Sequence, residues 1–148
     1  MSGDLRRLVY VSTAMDDFSR EDLHALAADA AARNQAIGVT GMLMYKGGSF
    51  LQVLEGPDAS IQMLLDRIEA DSRHLWVSIV TDDAVDARAF SDWGMGLIDF
   101  DAGRAPSLTE LAAVRDFITN CHGLDNNAAV AAIIMHFERF EEQARDAA

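Results

Sequence analysis

The pattern of hydrophobic and polar positions in the first half of the chain predicts strand, helix and hairpin in that order. Residues 5–12 are apolar and β-branched, as expected of a strand. Ser19 and Asp22 have the spacing of a helix N-terminus, and apolar residues then recur at helical intervals to about Asn34. Two apolar runs separated by Lys46, Gly47 and Gly48 predict an antiparallel hairpin.

The next part of the pattern predicts a second helix and two more strands. A helical stripe begins after Asp58 and ends around Asp71, residues 74–83 predict a fourth strand, and residues 88–100 contain a fifth. The fifth strand would place three side chains on one face: Trp93, Met95 and Leu97. The order indicates an α+β fold with the ferredoxin-like βαββαβ pattern, an antiparallel sheet with two helices on one face.

Two amphipathic helices are predicted after the sheet, over residues 107–121 and 126–143. The apolar stripe of the second comprises Val130, Ile133, Ile134, Phe137 and Phe140. Since the free face of the sheet is too apolar to meet water, we expect these helices to cover it. The predicted organisation is a folded domain over residues 1–100 and a helical cap or output extension over residues 101–148.

Composition narrows the possible partners and compartments. The formal net charge is −12, which disfavours nucleic acid because binding to phosphates depends on lysine and arginine. Cys121 is the only cysteine, so neither an intrachain disulfide nor a cysteine-based zinc site is expected. The sequence contains no secretory h-region and no apolar run near the ~20 residues that span a bilayer. We therefore expect a cytoplasmic protein without a membrane partner.

The familiar catalytic motifs are missing from the sequence. The four histidines do not have the spacing of a helical metal site, so no metal is predicted. The sequence also lacks a Gly-x-Gly-x-x-Gly motif, a Walker loop and a Gly-x-Ser-x-Gly nucleophile elbow. The sequence therefore gives no indication of a metal site, a glycine-rich phosphate-binding loop or a serine nucleophile.

Several polar side chains instead lie within apolar elements. Gln52 is in the apolar third strand, and a buried amide costs about 1–3 kcal/mol unless its donors and acceptor find partners. Tyr10 is in the first strand, Asn34 ends the first helix, and Trp93 and Met95 are in the last strand. Each has a structural interpretation: a core tyrosine, a helix C-cap, or apolar filling. Together they indicate a pocket.

Residues 5–100 resemble the BLUF domain, a flavin-based sensor of blue light. The resemblance lies in five segments in the same order: RLVYVS with Tyr10, RNQAIGVTG with Asn34, GSFLQVLEG with Gln52, IEADSRH with Ile68, Asp71, Arg73 and His74, and FSDWGMG with Trp93 and Met95. It implies a ferredoxin-like domain that binds FAD non-covalently between its two helices. The sequence alone does not separate FAD from FMN.

The resemblance also implies roles for the photoactive residues. Gln52 would lie between Tyr10 and the N5 and O4 edge of the flavin, and Asn34 would hydrogen-bond the ring. A tyrosine can give up an electron and a proton, which suits Tyr10 to proton-coupled electron transfer. Gln52 would be the switch, because one rotatable amide carries both a donor and an acceptor. Trp93 and Met95 would pass the change outward.

Further cofactor contacts follow from the same resemblance. Arg73 and His74 would face the ribityl and phosphate part, with Asp71 beside them in the motif, although His74 alone could equally lie in a solvated turn. Arg33 would cover the ring edge. Two apolar walls are expected, Phe50 on the strand and Ile68 on the second helix.

The expected output is a signal and not a reaction. The roughly 48 residues after the sensor are too few for a cyclase or phosphodiesterase, so we expect no enzyme activity. A signal would then pass through a homo-oligomer or a separate effector protein. Two alternatives stay open at this point, an acylphosphatase-like enzyme on the same fold and a colourless interaction module. Neither explains Tyr10, Asn34 and Gln52 together.

Overall fold

Eight elements with defined bounds build the described part of the protein. The computed structural model describes residues 5–14, 19–70, 74–90, 95–99 and 108–120, with residues 130–131, 133–135, 137–139 and 142 near the C-terminus. The elements are β1 (Leu5–Ala14), α1 (Arg20–Ala36), β2 (Thr40–Lys46), β3 (Ser49–Pro57), α2 (Asp58–Ala70), β4 (His74–Val85), β5 (Gly96–Asp99) and α3 (Leu108–Asn120). The described residues between 130 and 142 are helical and are called here the C-terminal segment.

The sheet has the strand order β4-β1-β3-β2-β5. The first four strands pair antiparallel, as the ferredoxin-like pattern predicts. The expectation of a wholly antiparallel sheet is wrong for β5, which pairs with β2 in parallel. β4 lies at one edge of the sheet and β5 at the other. β5 runs opposite to β4, and therefore in the same direction as β2. The strand is also shorter than expected, so Met95 lies immediately before it.

The caps of α1 follow from its sequence. Ser19 and Asp22 form a reciprocal capping box at the N-terminus, as their spacing predicts. The helix continues two residues beyond Asn34, and Ile37 is its C-cap, so the interpretation of Asn34 as the cap is wrong. Gly38 follows with φ of 74°, and the Val39 amide donates to the Asn34 carbonyl at 2.9 Å, which is a Schellman ending. The Asn34 side chain is therefore not needed for capping.

The hairpin between β2 and β3 turns at Gly47 and Gly48. Both residues have positive φ, 55° and 85°, in the left-handed region that two-residue hairpin loops need. The turn sets the register, so that Gln52 pairs with Leu43 of β2 while Tyr10 of β1 pairs with Gln52 from the other side. Gln52 thus lies in the centre of the sheet.

The two faces of the sheet bury separate clusters. The helix-facing side packs against α1 and α2 and includes Leu8, Tyr10, Phe50, Leu54 and Met95. The outer side packs against α3 and the C-terminal segment, with these buried residues: Val9, Val11, Met42, Met44, Leu51, Val53, Phe90, Ile98, Val114, Phe117, Val130, Ile133 and Phe137. The prediction that C-terminal helices cover this face is confirmed for the described residues. Phe140 lies outside them.

Within the part of the chain that the structure describes, none of the helices has the length and apolarity of a membrane span.

Candidate functional site

A cleft lies between α1 and α2, with strands of the sheet at its base. It contains about 660 Å³ of empty space when the open solvent at its mouth is included. The lining residues are Tyr10, Leu26, Ala30, Arg33, Asn34, Leu43, Gln52, Leu54, Leu64, Arg67 and Ile68. The cleft therefore has mostly aliphatic walls and a small polar set.

Helical periodicity explains which side chains reach the cleft. On α1, Leu26, Ala30 and Asn34 are four residues apart and so lie on one face of the helix. On α2, Leu64 and Ile68 have the same spacing. The two helices are tied together where α1 ends, because the Ser60 hydroxyl of α2 donates to the Ile37 carbonyl at 2.8 Å.

The polar centre of the cleft is a chain of three side chains from three strand regions. Tyr10 and Gln52 are direct partners across β1 and β3, and the Tyr10 hydroxyl donates to Gln52 Oε1. Gln52 Nε2 donates in turn to the Met95 sulfur at 3.6 Å. The amide thus has its oxygen towards the tyrosine and its nitrogen towards the residue that precedes β5. The Gln52 amide can lie in an apolar strand because both its oxygen and its nitrogen have hydrogen-bond partners.

Asn34 supplies a second amide at the cleft. Only 2 % of its surface is exposed, although it belongs to the lining. Arg33 and Arg67 are exposed and lie in the last turns of α1 and α2. The cleft therefore combines two amides and a phenol with guanidinium groups that reach solvent.

The structure brings together part of the predicted site. Tyr10, Arg33, Asn34, Gln52 and Ile68 line the cleft, and Met95 joins through its hydrogen bond to Gln52. Phe50 is fully buried on the same face of the sheet, with its ring 4.9 Å from that of Tyr45. It is not among the described lining residues.

Four predicted site residues are not placed by these side-chain contacts. Asp71, Arg73 and Trp93 lie outside the described residues. His74 begins β4, but its side chain lies outside the described part. Their assignments stay predictions.

Sequence reasoning did not single out six of the lining residues: Leu26, Ala30, Leu43, Leu54, Leu64 and Arg67. Most were visible as members of the apolar stripes. Leu26 and Ala30 share a helix face with Asn34, and Leu64 shares one with Ile68, so helical spacing is the signal that indicates them. Arg67 gave no signal, because an exposed arginine in a last helical turn is common as a partner of the helix dipole.

The donor set fits a flat heteroaromatic ring with a polar edge. Aliphatic side chains of both helices can pack on the faces of such a ring, while amide and phenol groups match donors and acceptors along one edge. In the described parts of the chain no cluster of three or more His, Cys, Asp or Glu side chains is arranged to hold a metal ion. The residues present therefore suit a flavin ring.

Comparison with known proteins decides the family. The family model described as BLUF, sensors of blue-light using FAD, matches residues 5–96, well over half of the chain. The chain belongs to the BLUF family. The two alternatives from the sequence, the acylphosphatase-like enzyme and the colourless module, thereby lose their support.

Curated BLUF relatives are longer proteins. The chain is 37% identical over 94 residues to photoactivated adenylate cyclase subunit beta of Euglena gracilis, covering 62% of this chain and 11% of that one. It is 35% identical over 95 residues to the blue light- and temperature-regulated antirepressor BluF of Escherichia coli K12, covering 64% and 24%. It therefore spans about a tenth to a quarter of these relatives.

Solved structures place the fold among BLUF proteins. The dark-state structure of the BLUF protein BlrB matches with a TM-score of 0.65 and 26% identity, covering 96% of this chain and 99% of that one. Klebsiella pneumoniae BlrP1 with FMN and cyclic diGMP matches with a TM-score of 0.66 and 28% identity, covering 90% and 34%. Both likenesses confirm the predicted α+β, ferredoxin-like fold.

Proposed function

We propose that this BLUF chain is a blue-light photoreceptor that binds FAD non-covalently between α1 and α2 and signals to a partner protein. The hydrogen-bonded chain Tyr10–Gln52–Met95 at the cleft carries the proposal. Asn34 would hydrogen-bond the ring edge, and Ile68 would pack on its face. Arg33 would cover the ring edge. Arg73 and His74 are assigned by family resemblance to the ribityl and phosphate part, and Asp71 of the same motif is proposed as a further cofactor contact.

Tyr10 is the residue suited to the light reaction. A bound oxidised flavin supplies an electron acceptor when it absorbs blue light. The phenol of Tyr10 holds its proton towards Gln52 Oε1, so electron and proton can leave along the same direction. When both return, Tyr10 is restored, and the lasting change is in the hydrogen bonds of Gln52.

Reversal of the Gln52 amide has a definite consequence at Met95. In the observed arrangement Nε2 donates to the sulfur. Rotation would turn Oε1 towards Met95, and a thioether has no proton to donate. The hydrogen bond to Met95 would then be lost while Gln52 Nε2 gains the Tyr10 oxygen as acceptor. The residue preceding β5 would therefore respond directly to the switch, with Trp93 assigned to the same output by resemblance.

The output is proposed to leave through the C-terminal helices as a sensory signal without an enzymatic reaction in this chain. We propose the sensor over residues 1–100 and the output extension over residues 101–148, acting as a homo-oligomer or on a separate cytoplasmic effector. The relatives named for adenylate cyclase and antirepressor activity support coupling of a BLUF sensor to a partner function.

The substitution Tyr10→Phe tests the photochemical role. The variant keeps the ring and loses the hydroxyl that donates to Gln52. We expect it to bind flavin but to show no light-induced red shift in its absorption spectrum. Tyr45→Phe is the matched control, a buried tyrosine on the same side of the sheet, and should keep the shift. A normal red shift in Tyr10→Phe would contradict the proposed role.

A further inference from the structure

A buried carboxylate lies on the same two strands as the photoactive pair. Tyr10 pairs with Gln52, and three residues along each strand Arg7 pairs with Glu55. Because the offset is odd, the second pair points to the opposite face of the sheet. Glu55 is 0 % exposed, and Arg7 Nε donates to its Oε2 at 2.7 Å. One pair of strands therefore carries the photoactive group on one face and an ion pair on the other.

The Glu55 carboxylate also holds the connection between β4 and β5. The Ala89 amide donates to Oε2 at 3.0 Å, and the Phe90 amide donates to Oε1 at 2.9 Å. Both carboxylate oxygens are thus used, and the chain that leads towards Met95 is fixed to the central strand. Arg88 adds a bond to the Glu55 carbonyl at 3.1 Å.

Two of the three residues bonded to the carboxylate contact the same ring of α3. The Phe90 and Phe117 ring centroids are 5.6 Å apart. The guanidinium carbon of Arg7 lies 5.8 Å from the Phe117 centroid, a cation–π distance. Phe117 is itself buried in the outer core. Glu55 is therefore linked to α3 through two neighbours, Arg7 and Phe90.

We propose that Glu55 is a positioning residue that connects the photoactive pair to α3. Movement of β3 relative to β1 at Tyr10 and Gln52 is carried three residues along the same strands to Arg7 and Glu55. From there the Arg7 guanidinium and the Phe90 ring transmit it to Phe117. This inference rests on the proposed photoreceptor function, because it needs a light-dependent change at Gln52.

Hydrogen exchange of the full chain with bound flavin, in the dark and under blue light, tests the proposal. In the wild type we expect a light-minus-dark difference in amide protection over residues 108–120. Glu55→Gln has only one oxygen for the Arg7 and backbone donors, and its NH₂ would face other donors. This variant should keep the flavin red shift and lose the exchange difference in α3.

Asp82→Asn is the matched control. It removes the carboxylate that pairs with Arg6, another arginine of β1, whose described side-chain partners lie on β4 and α2 and not on α3. It should keep both the red shift and the exchange difference. If Glu55→Gln does not bind flavin, Phe117→Leu tests the proposal instead. It removes the ring that both Arg7 and Phe90 contact, and it should also abolish the light-minus-dark exchange difference in α3.

The outcomes separate this proposal from the photoreceptor function. Absence of a red shift in the wild type would overturn the photoreceptor function itself. A red shift without any wild-type exchange difference in α3 would overturn only the role of Glu55. The role of Glu55 would also be overturned if Glu55→Gln keeps the red shift and shows an exchange difference in α3 as large as that of the wild type. The same result in Phe117→Leu would overturn it where Glu55→Gln does not bind flavin.

Discussion

At the scale of single residues, one amide accounts for much of the site. Gln52 lies in an apolar strand because both ends of its side chain have partners, Tyr10 on β1 and Met95 before β5. Each such bond contributes only about 0.5–1.5 kcal/mol net, so a change of partner requires little energy. A hydrogen-bond switch needs two arrangements that differ little in free energy.

The role of Met95 can be tested by Met95→Leu. Leucine keeps the apolar volume but cannot accept the hydrogen bond from Gln52 Nε2. We expect the variant to keep flavin binding and the red shift, and to lose the light-dependent change in hydrogen exchange over residues 96–99. Met44→Leu, at a buried methionine of the outer core, is the control and should behave as wild type. An unchanged exchange response in Met95→Leu would show that the bond carries no signal.

The polar residues and the pairing of Gln52 with Tyr10 could be named from the sequence, whereas the bond from Gln52 to Met95 could not. Gln52 stands out because an amide in an apolar strand needs an explanation, and its pairing with Tyr10 follows the BLUF resemblance. The nitrogen-to-sulfur bond to Met95 depends on where β5 enters the sheet. No pattern within residues 88–100 gives that position.

At the scale of elements, an exposed ion pair joins both sides of β1. Arg6 donates twice to Asp82 of β4, at 2.6 Å each, and also to Asp58 and Gln62 of α2. The hydrogen bond from Arg6 lowers the pKa of Asp82 below its ordinary value, and the same bond raises the pKa of Arg6. The pair ties the edge strand to a helix that walls the cleft.

The lowered pKa of Asp82 predicts a pH dependence of stability. Its contribution is complete above the ordinary aspartate pKa and is lost as pH falls through the lowered pKa of the folded state. Asp82→Asn should reduce the free energy of unfolding at pH 7 by about 0.2–1 kcal/mol, the range for exposed pairs. Chemical denaturation at neutral and acidic pH measures this difference.

Asp83→Asn serves as the control, because Asp83 is adjacent and exposed and forms no ion pair with the other described residues; it should have little effect. The gap between wild type and Asp82→Asn should close in acid. A gap that persists at a pH where Asp82 is protonated would contradict the assigned cause.

Helix and strand order was predictable because local signals agree with the fold. The capping box at Ser19, the glycine turn after Lys46 and the helical stripe after Asp58 each lie where an element begins or turns. The parallel entry of β5 was not predictable, since it depends on the edge of the sheet to which the connection from β4 leads. Glu55 fixes that connection, and nothing in its local sequence shows which amides it binds.

At the scale of the whole molecule, the sheet lies between the proposed flavin cleft and the proposed output helices. One face, with α1 and α2, forms the cleft, while the other is covered by α3 and the C-terminal segment. The apolar character of both faces predicted this two-sided arrangement. The sequence could not show that β1 and β3 pair Tyr10 with Gln52 on one face and Arg7 with Glu55 on the other, because the register of the strands is known only from the structure.

The most direct test of the central claim is the absorption spectrum of the purified protein in the dark and after blue illumination. We expect a flavin spectrum that shifts slightly to the red in light and returns in the dark. A protein that remains colourless after reconstitution with flavin, or a flavin spectrum unchanged by light, would contradict it.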